Sequence, residues 1–314
     1  MGEKTSVNLQ NIGLYVQNNI LKVGKVMEYL YKGQYLRGEC GNNAFSYNKR
    51  NNQEIYVAPI KKIPYKVDDI LNNLLISDKT AFSEYDEITK EQYDIKGIKN
   101  FIFCDDNDKK LYIFDNHNHS FYFIAGNVIR DVRRNLQDSE KEPLLTAFLE
   151  RRYDIKKRPM IHFDQHKDMR VPELTLLQAI KKIKEGKNIH ELIYQDSYCD
   201  YNILYSYTNY FLNVGNFIVP LLENGFIEEV VIVDSTYSME KLDKDIDSYD
   251  EVILDIDLDF FSTDMDYIDE GEKLSLIQRC YEKAKIVTIC TSPYFIDFER
   301  AKKKLEKILK NSVR

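Results

Sequence analysis

The sequence predicts an α/β fold with a mainly parallel sheet covered by helices on both faces, a three-layer α/β/α arrangement. Three observations carry that expectation. From residue 101 onward, short apolar runs alternate with amphipathic stretches, as strand–helix–strand units do. The run Val252-Ile-Leu-Asp-Ile-Asp257 leads into three aspartates at alternate positions, Asp255, Asp257 and Asp259. A second run, Pro159-Met-Ile-His-Phe-Asp164, ends in Asp164-x-His166-x-Asp168 with the same spacing. Residues two apart on a strand share a face. Open α/β sheets gather their ligand groups beyond the carboxyl ends of strands, so both clusters belong at one sheet edge.

The 314 residues suffice for one large domain or a domain with an appendage. With 43% hydrophobic and 30% charged residues the balance is that of a globular protein. A net charge of −7 without a basic block argues against nucleic acid as a partner. No apolar run approaches the roughly 20 residues of a membrane span. Met1 to Gln10 is polar and unlike a signal peptide. The five cysteines lack a Cys-x-x-Cys pair, which disfavours disulfides and thiolate zinc and points to the cytoplasm.

Residues 1–100 are expected to form an N-terminal extension or subdomain. They supply either edge elements for the main sheet or a docking surface for a macromolecular substrate. Residues 11–31 have mixed apolar spacing, and Tyr15, Tyr29, Tyr31 and Tyr35 read as packing residues. A strand is expected over 55–60 and a short helix over 67–75. Residues 101–314 form the expected catalytic domain. Two strands over 101–105 and 111–114 are joined as a hairpin, and His117 and His119 follow where a helix over 121–135 begins. Helices over 144–151 and 174–184 flank the Asp164 strand, the second closing near Gly186. A tyrosine-rich stretch runs from Tyr198 to Tyr210. A helix over 213–222, a buried strand over 228–234, the aspartate strand, a helix over 273–284, a strand over 285–290 and a terminal helix over 297–309 complete the series.

The chemistry follows from charge. Several carboxylates on one strand face repel one another and lose hydration, a cost that calls for a cation. Carboxylate, imidazole and carboxylate at alternate positions form a mixed oxygen/nitrogen set suited to manganese, iron or zinc rather than calcium or magnesium. Up to five carboxylates and one imidazole from the two runs are enough for two ions sharing a bridging carboxylate. His117 and His119, two of the five histidines, are further candidates.

The paired motifs resemble the arginase/deacetylase superfold. His162-Phe-Asp-Gln-His-Lys-Asp168 with Leu254-Asp-Ile-Asp-Leu-Asp-Phe-Phe-Ser262 resembles the branch that includes the peptide arginases of ribosomal peptide biosynthesis. The likeness spans roughly residues 101–300 and includes Asp115-Asn-His117 and Gly215-Asn216-Phe217. It implies two Mn2+ ions, with Fe2+, Co2+ or Zn2+ as substitutes. His117 would bind one ion and His166 the other. Asp164 would bridge, and Asp168 would complete the coordination of the first ion. Asp257 is the favoured second bridge and Asp259 the terminal ligand, the register Asp255 with Asp257 remaining open. Asp255 is then a buried partner with a catalytic role beside His119, a candidate proton shuttle. Asn216 and Asp297 are the substrate-binding candidates.

The implied reaction is hydrolysis of the guanidinium of an arginine residue in a peptide or protein, yielding ornithine and urea. Two ions about 3.5 Å apart would generate hydroxide at neutral pH. Free-arginine arginases carry a glutamate near the end of a late strand. The comparable stretch here, Thr288 to Pro293, contains no acid. Other readings are a deacetylase with one metal, a small-guanidine ureohydrolase, and a metal-stabilised peptide-binding protein. A haloacid-dehalogenase-type phosphatase would use the aspartate strand but leave Asp164, His166 and Asp168 idle. The expected partner is an arginine-containing peptide or protein, with no nucleic acid and no membrane; self-association is compatible with the sequence.

Overall fold

The computed structural model describes residues 30–106, 108–135, 144–150, 153, 156–184 and 200–312. The expected pattern over 11–29, Tyr15, Tyr29, the helix stop at Gly186, Tyr198 and Cys199 lie outside the described residues.

The strands are β1 (Gln34–Arg37), β2 (Glu54–Val57), β3 (Ile60–Lys62), β4 (Ile76–Tyr85), β5 (Gln92–Ile98), β6 (Phe101–Asp105), β7 (Lys110–Phe114), β8 (Met160–Phe163), β9 (Val230–Val233), β10 (Val252–Asp257) and β11 (Ala284–Cys290). The helices are α1 (Val67–Asn73), α2 (His119–Asn135), α3 (Leu144–Leu149), α4 (Leu176–Lys184), α5 (Asp200–Tyr210), α6 (Ile218–Glu223), α7 (Thr236–Asp245), α8 (Glu270–Lys283) and α9 (Phe298–Ser312).

The main sheet has seven strands in the order β3-β6-β7-β11-β10-β8-β9. β7, β11, β10, β8 and β9 are mutually parallel. β6 runs antiparallel to β7, and β3 runs parallel to β6. The central strands earn their places by composition. Every residue of β8 and β10 is buried, as continuous β-branched and apolar runs demand in a parallel sheet covered on both sides. One cross-strand row, Tyr112–Thr288–Asp255–His162, lies on a single face. The helix α2 covers that face: Asn127 donates to the Tyr112 hydroxyl and Ser120 to Asp255. α8 packs on β10, β11 and α9. α9 buries Ala301, Leu305, Ile308 and Leu309, one stripe at helical spacing.

The expected hairpin is present as β6 and β7. Several boundaries differ. The expected strand over 55–60 is two, β2 paired with β1 and β3 at the edge of the main sheet, because Ala58-Pro59 interrupts the ladder. The expected helix over 213–222 shortens to α6, since Asn213 closes a turn with Gly215 and Asn216 instead. β9 is an edge strand and only half-buried. The antiparallel ribbon β4–β5 has no counterpart in the expectations. The N-terminal described residues thus supply both an edge strand and two small sheets.

Candidate metal centre

Four parallel strands deliver the site at their carboxyl ends. β7 leads to His117, β8 to Asp164, His166 and Asp168, β10 to Asp257 and Asp259, and β11 to Ser292. The strand β10 stops at Asp257, whose side chain accepts from the Asp259 amide and starts a 3-10 turn over Leu258–Phe261. Asp259 therefore reaches the site from the turn, not from a continued strand. The buried Lys273 of α8 braces this segment, donating to the Phe260 and Met265 carbonyls at 2.8 and 2.7 Å.

The groups assemble as two overlapping sets. Around His117 Nδ1 lie Asp164 Oδ2 at 3.1 Å, Asp168 Oδ2 at 3.2 Å and Asp257 Oδ2 at 3.1 Å. Around His166 Nδ1 lie Asp259 Oδ2 at 2.9 Å and Asp164 Oδ1 at 3.4 Å. Asp164 belongs to both. None of the three carboxylates near His117 Nδ1 is aligned for a hydrogen bond, and this nitrogen, Asp164 Oδ2 and Asp259 Oδ2 are buried without hydrogen-bond partners. Buried polar atoms are rarely left so. Lone pairs that converge on one another need a cation between them, so the donor set fits divalent metal. Asp168 and Ser292 adopt φ values of 49° and 41°, left-handed strain of the kind functional sites retain.

Asp255 occupies a different level. Its Oδ2 receives His117 Nε2 at 2.8 Å and His162 Nδ1 at 2.7 Å, and its Oδ1 receives Ser120 and Thr288 hydroxyls at 2.6 and 2.5 Å. With every lone-pair direction engaged, Asp255 orients His117 so that Nδ1 faces the cluster, as a carboxylate behind a ligating histidine does. Burial alone would raise its pKa, yet His117 and His162 hold it well below the usual carboxylate range. Asp257 and Asp259 thus face the histidine Nδ1 atoms of the cluster, while Asp255 lies behind His117. The sequence alone does not single out His162, Ser120 or Thr288. The alternation His162-x-Asp164 carried the signal for the first; the hydroxyls carried none.

The surrounding carboxylates favour the protonated forms of His117, His162 and His166. Burial opposes protonation of His117, but Asp255 and Asp257 outweigh it and raise its pKa well above the ordinary value. The adjacent carboxylates of Asp164 and Asp259 push His166 up to about 10. Burial and the neighbouring Asp164 charge raise Asp168 to about 6. Cys290 also lies near His117 and Asp257. Its thiol donates to the Asp115 carbonyl at 2.8 Å, and burial raises its pKa well above normal, so it stays a thiol and a poor ligand.

Three expected residues fall outside the centre. The ring of His119 turns into an aromatic box of Tyr31, Phe101 and Phe114, its Nδ1 2.9 Å from the Tyr31 hydroxyl. Burial lowers it to about 3, and it is not among the residues lining the cavity over the cluster. Asn216 accepts from the Asn213 amide and shapes the turn whose Val214 and Gly215 line the cavity. Asp297 is exposed and accepts from the Arg300 amide, capping α9.

A cavity of about 360 Å³ opens over the cluster, lined by His117, His166, Asp168, Asp257, Ser292 and Phe295, with Lys167 and Arg170 on its wall. Ser292 donates to Asp257 Oδ2. Phe295 lies 4.8 Å from the His166 ring, centroid to centroid.

No protein-family profile and no curated protein matches this chain. Among solved structures it is similar to proclavaminate amidino hydrolase from Streptomyces clavuligerus, at 11% identity and a TM-score of 0.32 over 64% of this chain and 63% of that one. It is similar also to agmatine ureohydrolase of Thermoplasma volcanium, at 13% identity and a TM-score of 0.29 over 61% of this chain and 69% of that one. The chain thus spans 63% of the first neighbour's length.

Proposed function

We propose that this protein is a two-metal hydrolase that converts arginine side chains of a peptide or protein to ornithine, releasing urea. The observation that carries the reading is the pair of ligand sets sharing Asp164 beneath an open cavity. His117, Asp164, Asp168 and Asp257 would hold one ion; His166, Asp164, Asp257 and Asp259 the other. Bound there, divalent ions supply a nucleophilic hydroxide near neutral pH and polarise the group under attack. Asp255 fixes the His117 ring, and Ser292 fixes one oxygen of Asp257. Phe295 offers an aromatic face on which a guanidinium can stack.

A second reading has one observation in its favour. The carboxylates lining the cavity, Asp168 and Asp257, both belong to the ligand set, while Lys167 and Arg170 add positive charge. The lining therefore offers a guanidinium no separate acid. A neutral amide on a substrate bearing a carboxylate would suit that wall better, which is an amidohydrolase reaction on the same centre. Arg170 rests against Gly215 so closely that a Cβ there would lie 2.1 Å from its Nη2.

Manganese-loaded protein should be incubated with arginine-containing peptides, free arginine and N-acyl amino acids, following urea, acetate and peptide mass. Urea release confined to peptides supports the first reading. Far better turnover of free arginine defeats the peptide assignment, and acyl release without urea moves the assignment to the second reading.

A further inference from the structure

The loop Asp115-Asn116-His117-Asn118-His119 is gripped on both sides of its ligand by the N-terminal residues. The Ile98 amide donates to Asp115 Oδ1 at 2.7 Å. Asn116 Nδ2 donates to the Ala81 carbonyl at 2.9 Å. Asn42 Nδ2 donates to Asn118 Oδ1 at 2.8 Å. Tyr31 meets His119 Nδ1. Four flanking positions are thus bonded to β4, β5, the Gly41–Ala44 turn and Tyr31, and His117 alone points into the cluster.

Asn42 does more than hold Asn118. Its Oδ1 accepts from the Val214 amide at 2.9 Å, and Val214 lines the cavity. One buried amide therefore ties the His117 loop to the cavity wall. Its orientation is determined at both ends. Asn118 uses its own Nδ2 on the Thr208 carbonyl at 2.8 Å, so its amide cannot flip to serve a different partner. The turn bearing Asn42 is itself fixed. Asn43 Nδ2 reaches the Leu36, Gly38 and Gln53 carbonyls, and Arg50 bonds both the Asn43 carbonyl and the Ser83 carbonyl. Gly41, at φ +51°, lies so close to the Asn209 carbonyl that a Cβ would come within 2.1 Å of its oxygen. No larger residue fits the approach that brings Asn42 to its partners.

We infer that the N-terminal residues are a clamp for the metal centre, with Asn42 as its positioning residue for His117. This rests on the two-metal reading and gives residues 31–98 a role distinct from substrate docking. The consequence is one-sided. Loosening the clamp should weaken the ion held through His117 and spare the one held through His166, whose loop makes none of these bonds.

The test uses the full chain, titrated with Mn2+ by calorimetry and with Co2+ by visible absorption. Asn42→Asp keeps the acceptor for Val214 but sets oxygen against Asn118 Oδ1; Asn42→Ala removes both bonds. Each should retain one tight ion and bind the second more weakly, by less than the roughly 10–100-fold expected for a group bonded directly to a ligand. Two ions bound with unchanged affinities, against a wild type that binds two, would overturn the clamp. Equal weakening of both ions would overturn its one-sidedness. If the Asn42 variants do not fold, Asn116→Ala decides by the same readout, since it removes only the bond to Ala81. A wild type that binds fewer than two ions would instead remove the two-metal reading itself.

Discussion

His117 is 1% exposed, whereas the side chain of His166 is 42% exposed. Behind His117 stand Asp255, then Ser120, Thr288 and His162, and its loop is bonded to the N-terminal residues. Beside His166 stand Asp259, Asp164 and the ring of Phe295, with the cavity beyond. The two halves share Asp164 but divide the labour. One is pre-organised by layers of buried hydrogen bonds. The other borders the cavity and is more exposed. A symmetric ligand list thus conceals an asymmetric site, and binding energy should differ between its halves.

The largest break in that comparison is Asp255→Asn. It removes a carboxylate that no ligand position uses, yet leaves two histidines sharing a neutral amide. Affinity for the ion at His117 should fall about 10–100-fold, read by Mn2+ titration, with the ion at His166 little changed. Equal loss at both sites would mean that Asp255 supports the cluster as a whole.

Next is the pH response of metal-free protein. His162 and His166 are each raised to about 10 in the folded state from an ordinary 6.5. Groups with raised pKa values bind protons more tightly when folded. Their contribution is therefore full below about pH 6.5 and is lost as pH rises toward about 10. The melting temperature after chelation should fall across that window. With manganese bound, His166 would be a deprotonated ligand and its share of the fall should disappear, so the fall should be smaller. Parallel melting curves with and without metal would contradict it.

The smallest expected effect is that of Ser292→Ala. It deletes one hydrogen bond to Asp257, on the order of 1–3 kcal/mol for a charged acceptor. It also relieves no strain, because alanine is no better suited than serine to the φ of 41°. A drop in turnover of about tenfold with both ions retained fits a role in orienting Asp257. Loss of an ion would make Ser292 part of the metal shell.

The sheet was legible because its strands are written in unbroken apolar runs. Val252 to Leu254 and Met160 to Ile161 need no tertiary information to read as interior strands. The ligand groups were legible because period two survives to the strand ends, and His117 sits where a strand gives way to a helix. Side-chain placement became hard to read where that period stops. Asp259 lies in a 3-10 turn, and His119, two residues after His117, faces the opposite way because α2 begins there. The N-terminal ribbon was invisible. β4 and β5 are mostly half-exposed and pair with each other rather than with the main sheet. Asn42 reads as an ordinary polar turn residue; only its two long-range bonds, to Asn118 and Val214, reveal its place.

The central claim is that these residues bind two ions around a shared Asp164. Elemental analysis of manganese-loaded, desalted protein, beside the Asp164→Ala variant, tests it most directly. Two ions per chain in the wild type, and neither held tightly in the folded variant, is the predicted result. A folded wild type that retains no metal, or a variant that retains two, would contradict it.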